Sequence, residues 1–590
     1  MNNDYQLDNQ ARKELKLQNL RRDILAGEGG QALDMILGAP SPATLIQSFP
    51  DQDLYYLMHK VGPDDFIPVL ALAASSQWEY ILDVEAWEDD RLDTHMMTVV
   101  FSLLFKADAQ RLLRWAITEK PDFLEYWLAQ KMTVVIREHD EVPPEDFDDY
   151  ITLDDKFYFR FPDSSYSGDT YFQGELLPQD APPEDGRPDD APELIEQMLK
   201  ELASMDLSVF HGLLLETLNL LPAEAEEEQF RQKNIRLAEK GFLPVHEAIG
   251  IYQPIAEKNL RPRPAISREI RALDPDIPLP PMFFTQFLKG ANLFAKALEQ
   301  INAQGGIPGL DSELAALINK VISADRIRIR GRESIEKPLE KTMSTLSLGL
   351  EVLMGDAKAG VERSADLIRQ YFLEDIFRIG SREGVKLQTK ARQWYETSFI
   401  GTKKLPLSFL GENYLGIIGG LMVQRPMFFA DYADKVLYRN FACLADIRAT
   451  RRQLDEIICL DDFLKSLDVD IASFTFGVLT YKSMILTLWV RDRMGLNTSK
   501  PLSLAPIEVS EFKDFFAQLF DRGGNIGDTQ AKDFGLWAAK ASGVHEADLP
   551  TALQNLLYTL LRELESEYSH VRTQNIDPRF MPLFLLAGQE

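Results

Sequence analysis

Apolar residues recur at helical spacing along most of this chain, and the elements they predict come in blocks. The first 135 residues read as many short helices. Three places share one pattern, Pro50-Asp51, Pro63-Asp64 and Pro121-Asp122. Each proline is followed at +6 by Tyr56, Val69 or Trp127, and at +7 by Leu57, Leu70 or Leu128. Proline pre-sets a helix entry, and the aspartate can cap it or face the positive end of the helix dipole. Residues six and seven positions on then share one buried face. Pro68 is tolerated near a first turn, where backbone donors lack intrahelical partners. The thirteen-residue step from Pro50 to Pro63 suits one short helix plus a turn. Stacked units of this kind would form a small superhelical array, against the simpler reading of ordinary capped helices.

Near residue 150 the period changes. Tyr150 to Phe161 (YITLDDKFYFRF) alternates on both sides of Asp154-Asp155, which predicts a small β-hairpin. Phe157, Phe159 and Phe161 share one strand face, and Tyr158 and Arg160 the other. From Pro162 to Pro192 the composition turns to Pro, Asp, Gly and Ser, the mark of a linker. Helical patterning resumes at Glu193 and continues near Ala223–Lys240 and Pro244–Tyr252. A Pro- and Arg-containing connector, Arg261 to Pro281, precedes a large helical region. Apolar stripes there predict helices over Phe283–Asn302, Asp311–Ser323, Ser334–Met354, Ala359–Phe377, Tyr432–Arg452 and Asp468–Met494.

The expected fold is mainly α. Its parts are a short-helix superhelical domain (1–135), a β-hairpin with an acidic linker (136–192), a helical segment continuing the amino-terminal region (193–260), a connector (261–281) and a carboxy-terminal helical domain (282–590).

Length changes the picture first. At 590 residues the chain exceeds one hydrophobic core. The polar, charged stretch Met1–Leu20 lacks the apolar core of a signal peptide, so a cytoplasmic location is expected. Ile471–Val490 is long enough to cross a bilayer, but Lys482 at its centre costs about 2.5–3.5 kcal/mol there. A buried core helix is the expectation, with no membrane insertion. Leu415–Val423 is too short to span. The net charge is −29, which argues against nucleic acid and anionic membranes as partners. Between Glu138 and Glu196, 19 acidic and 3 basic residues give −16, more than half the excess.

Three stretches carry a resemblance: Gly241–Pro254 (GFLPVHEAIGIYQP), Tyr371–Gly380 (YFLEDIFRIG) and Ile576–Leu583 (IDPRFMPL). With the overall layout, they resemble a family of large, soluble helical bacterial proteins designated a domain of unknown function. The resemblance covers most of the chain and implies no catalytic residue. Residues 40–130 also look like the superhelical cytosolic domain of MgtE-type magnesium transporters. The nucleotide-binding-like modules and membrane helices of that family have no counterpart in this sequence, so at most a shared helical packing mode is implied.

Candidate chemistry is sparse. Cys443 and Cys459 are too few for a disulfide framework or a zinc site, and buried thiols are the ordinary reading. His59, His95, His139, His211, His246, His545 and His570 include no i, i+4 pair. Asp521–Asp528 (DRGGNIGD) lacks the residues of a calcium loop at Gly523 and Ile526 and reads as a glycine-rich turn. Gly416–Gly420 (GIIGG) reads as close helix packing. The pairs Asp64-Asp65, Asp148-Asp149 and Asp154-Asp155 read as solvated surface. No catalytic residue, cofactor or metal is expected.

The positive signal is Arg326, Arg328, Arg330 and Arg332, in RIRIRGR. An extended segment would align the four guanidinium groups as an anion or partner site. The ordinary alternative is internal pairing with acidic side chains, such as those of Glu138–Glu196. Arg448, Arg451 and Arg452 are read the same way. The leading expectation is therefore a non-enzymatic protein-protein interaction or assembly protein. The alternative is an enzyme or small-molecule binder with a pocket between carboxy-terminal helices, using the arginines with Trp394, Tyr395 or Trp489.

Overall fold

Helices dominate the computed structural model, and strands occur only in short pairs and one three-stranded sheet. The structure describes residues 16–88, 90–137, 149–162, 171–172, 175–176, 190–238, 240–264, 283, 292–329, 332–355, 360–471, 479–497, 500–521 and 523–588. Most of the acidic linker, the connector beyond residue 264, Asp148 and His139 lie outside the described residues. Packing divides the chain into two compact units. One comprises Met1–Gln253, Leu260–Met343 and Ala359–Phe377; the other comprises Pro254–Asn259, Ser344–Lys358 and Arg378–Glu590. Residues of the expected 282–590 region thus fall in both units, while 193–253 pack with the amino-terminal helices.

In the first unit, the proline-aspartate signals mark helix entries at Asp51–Val61 and Pro121–Lys131. At Pro63 four turn residues intervene before the one-turn helix Ile67–Leu70. Asp51 and Asp122 lie in first turns, but no side chain caps these three helices; the two carboxylates face the positive dipole end and reach other segments instead, Asp51 pairing with Lys240 at 2.5 Å and Asp122 accepting from Gln229 at 3.3 Å. Tyr56, Val69, Trp127, Leu57, Leu70 and Leu128 are all at most 1% exposed. Thr94–Glu119 is longer than the short-helix pattern suggests and breaks at Asp108, whose carboxylate accepts from the Arg111 amide at 3.0 Å and starts the second half.

The hairpin forms as Ile151–Thr152 against Phe157–Arg160, with Ile151 opposite Phe159 and Thr152 opposite Tyr158. A third strand, Thr133–Ile136, joins its free edge. Asp154 does not lie on solvated surface: its side chain is 8% exposed. It accepts from the Lys156 and Phe157 amides at 3.1 and 3.0 Å, and His211 Nε2 stands 2.5 Å from its other oxygen. These hydrogen bonds and His211 hold its carboxyl below the usual range, against the opposing effect of burial.

Several expected helices differ in extent. Of Asp468–Met494, Val469–Asp470 instead pairs with Leu502–Ser503 and the helix is Tyr481–Arg493; of Phe283–Asn302, the described helix is Leu293–Ala303, capped by Asn292, with residues 284–291 outside the described residues. Ala359–Phe377 divides into Val361–Gln370 and the start of Leu373–Thr397, because Tyr371 pairs with Pro262 and Arg263 Nε donates to the carbonyls of Ile368 and Tyr371 at 2.8 and 3.0 Å. An arginine brought in from another segment satisfies carbonyls that a helix end leaves open. Tyr432–Arg452 shifts to Leu444–Ser466, since Asp431, Tyr432 and Lys435 take left-handed backbone conformations and Tyr438–Arg439 pairs with Phe428–Phe429.

The second unit has its own apolar core around Leu454, Leu460, Leu488, Trp489 and Phe512. The helix Tyr481–Arg493 runs through it, and Lys482 pairs with Glu563 at 2.5 Å at its edge. No helix among the described residues is long and apolar enough to cross a membrane. Residues 472–478 of the tested segment lie outside the described residues. The GIIGG glycines pack against a hairpin rather than a second helix: a Cβ at Gly416 would stand 2.3 Å from the Phe429 ring.

Glu125, on Pro121–Lys131, has its carboxyl pushed up to about 7 by burial, with Asp122 and Glu216 adding repulsion. The folded state therefore holds this proton where the unfolded chain has released it. Stability falls as pH rises from 4.5 to about 7 and then levels off. Glu125→Gln removes that penalty. Urea unfolding should show the variant gaining about 1 kcal/mol above neutral pH, after allowing for the half-exposed position, with the gain shrinking toward pH of about 5. A gain that is flat with pH would refute this assignment.

Candidate functional site

A cleft of about 310 Å³ lies within the first unit, between segments far apart in sequence. Ser75–Glu85 supplies Asp83 and Glu85, and the chain turning out of it supplies Trp87 and Glu88. Pro222–Ala238 supplies Phe230 and Lys233. It is pinned to Ser75–Glu85 by Arg236, which grips Asp83 with Nε and Nη2 at 2.7 and 2.8 Å. Leu310–Ala324 ends where Arg326 turns to φ 53°, and the chain leaves it extended, with Arg326 and Arg328 exposed and Ile329 buried.

The lining mixes charge with aromatic surface. Glu85 accepts from the Tyr55 hydroxyl at 2.6 Å, and His59 Nε2 lies 2.9 Å from the same oxygen. Burial first, then the Glu85 charge, pushes the Tyr55 phenol well up, so it remains a neutral donor. Lys233 Nζ stands 4.5 Å over the Trp87 ring, which tilts against Phe230 at 5.6 Å. The Trp87 indole N–H is buried without a hydrogen-bond partner.

A second, shallower groove of about 670 Å³ runs along the outer side of Pro222–Ala238 and shares Phe230, Asn234, Leu243 and Pro244 with the cleft. Its opening carries Glu224, Glu227, Glu228 and Glu247 beside Ile235, which is 61% exposed. Just beyond Pro222–Ala238, Gly241 (φ +86°) brings the chain onto Leu310–Ala324. A Cβ there would lie 2.3 Å from the Ala316 carbonyl oxygen and 2.5 Å from its Cα, so both space and backbone require glycine.

Of the arginines singled out in the sequence, Arg326 and Arg328 line the cleft. Arg328 pairs with Glu88, outside the Glu138–Glu196 segment. Arg330 lies outside the described residues. Arg332 begins the helix Arg332–Met354, and its side chain is not described. Arg451 stands 3.9 Å from Glu383. Trp489 is 1% exposed and belongs to the second unit's core; Trp394 is buried beside the partly exposed Tyr395. The turn at Asp521 is held by its own carboxylate, which accepts from the Gly523 and Asn525 amides at 2.8 and 2.9 Å. Among the described residues no group of three or more His, Cys, Asp or Glu could hold a metal ion.

Sequence reasoning passed over Tyr55, His59, Glu85, Trp87 and Lys233. Tyr55 and Glu85 are 30 positions apart on different helices, and nothing local marks either.

No curated protein and no solved structure matches the chain, and the local likeness to MgtE-type transporters gains no support from them. A family model, described as a family of unknown function (DUF6178), matches residues 9–587. The match spans nearly the whole chain, and the protein belongs to that family.

Proposed function

We propose that this chain is a cytoplasmic, non-enzymatic interaction or assembly protein whose partner is another protein. The observation that carries the reading is the outer side of Pro222–Ala238, where Ile235 stands 61% exposed in a groove walled by Phe230, Leu243 and Pro244. An exposed apolar anchor in a concave polar-rimmed surface is what partner side chains dock against. Leu207, at the start of Leu207–Asn219, and Leu221, just before Pro222–Ala238, are 47% and 53% exposed and add to the same reading. A net charge of −29 supports a protein rather than a nucleic acid in this role.

A second reading is favoured by one observation, the cleft itself. Its volume of about 310 Å³ is near the lower bound for small-molecule sites, and it gathers a buried tyrosine-glutamate-histidine contact, an indole face and two arginines. Its place, in the first unit, differs from the carboxy-terminal pocket expected from sequence.

Purification of the tagged full-length protein after gentle lysis, followed by mass spectrometry, discriminates between them. The interaction reading expects a stoichiometric partner that Ile235→Asp releases. A monodisperse protein without partner, carrying a small molecule that Trp87→Ala releases, would replace it with the second reading.

A further inference from the structure

The Pro222–Ala238 helix turns a stripe of mixed chemistry to solvent. Glu224, Glu227, Arg231, Ile235 and Ala238 follow one another at steps of three and four, and all are exposed. Its opposite face holds the helix down, through buried Gln229 and Leu237 and through Glu226, which accepts from the Leu92 amide at 2.8 Å. The exposed stripe is therefore not needed for packing. Beyond its carboxy-terminal end the chain returns at Leu243–Pro244, and Glu247 closes the far rim of the groove.

Charge decides what fits. Arg231, the basic side chain in the stripe, is engaged by Glu228 at 2.6 Å. Glu224, Glu227 and Glu247 stand along the rim as exposed carboxylates around an apolar floor, with His246 Nε2 3.8 Å from Glu247. An acidic or phosphorylated occupant would place like charges face to face and be disfavoured. A cationic one would complement the rim while its apolar side chains cover Ile235.

Resting on the interaction reading, we infer that this groove receives a basic amphipathic segment of a partner protein, with its apolar stripe on Phe230, Ile235 and Pro244 and its lysines or arginines against Glu224, Glu227 and Glu247. The mode is helix-in-groove recognition with charge setting specificity.

The test uses the full-length protein and two fluorescein-labelled designed amphipathic peptides, one with leucine and lysine faces and one with leucine and glutamate faces, read by fluorescence anisotropy. The lysine peptide should bind, and the glutamate peptide should not. Glu227→Lys with Glu247→Lys should weaken binding by roughly tenfold or more, as should Ile235→Asp. A control with the same net charge, Glu396→Lys with Glu567→Lys at exposed positions of the second unit, should bind as the parent does. Equal weakening in the control would reduce the effect to bulk charge and overturn the inference, as would absence of lysine-peptide binding. Sedimentation that reveals a dimer lost in Ile235→Asp would assign the groove to a second copy and equally overturn it. Partner capture from cells separates the two claims. Capture abolished by Ile235→Asp but indifferent to rim reversal keeps the interaction reading and removes the cationic one; capture indifferent to both removes both.

Discussion

Trp489→Ala is expected to destabilise the second unit by about 3–5 kcal/mol, the range for deleting a fully buried indole. The side chain is 1% exposed, with its ring 4.7 Å from Phe534 and 5.4 Å from Phe515 at a right angle. Its N–H donates to Asp533 at 3.0 Å, and the same carboxylate oxygen takes Arg493 at 2.7 Å. Truncation therefore opens a cavity and leaves a carboxylate less well satisfied. Urea unfolding followed by circular dichroism measures the loss. Trp489→Phe, which keeps most of the volume, should lose less than half as much. A cost for alanine below about 1 kcal/mol would mean the site collapses freely, contrary to the packing described.

The second large effect concerns the anchor of the groove helix. Arg236→Ala should cost about 3 kcal/mol, because it leaves Asp83, 2% exposed, as a buried carboxylate without its guanidinium. The loss is dominated by the stranded charge rather than by the pair's own attraction. Replacing both partners by leucine should therefore recover much of it. Hydrogen exchange provides the readout: in Arg236→Ala, amide protection should fall first along Pro222–Ala238. Uniform loss across the first unit would argue that the pair does not hold this helix in particular.

These two sites show what sequence can and cannot deliver. Periodicity alone identified Leu57, Leu70 and Leu128 as inward positions, since a helix face is a local property. Alternation identified the Ile151–Arg160 hairpin, but the third strand, Thr133–Ile136, is a four-residue β-branched run whose partner is 21 or more positions away. The break at Tyr371 and Phe372 escaped because its cause is Arg263, delivered by the chain more than a hundred residues earlier. The arginine motif was legible as a cluster, and Arg326 and Arg328 do share the cleft. Their neighbours there, Tyr55, Glu85, Trp87 and Lys233, were invisible for the same reason as Arg263: periodicity marks the helices Asp51–Val61 and Pro222–Ala238, but which of their side chains meet across segments is set by tertiary packing.

The contact between Gly241 and Ala316 bears on comparison among relatives. Because the contact leaves no room for even a methyl group, the residue at this one position reports how closely the connector runs against Leu310–Ala324. A family member with a larger side chain there must route its connector differently and stand further off this helix. Reading a single letter in a new sequence would thus sort relatives by how tightly this connector is laid down.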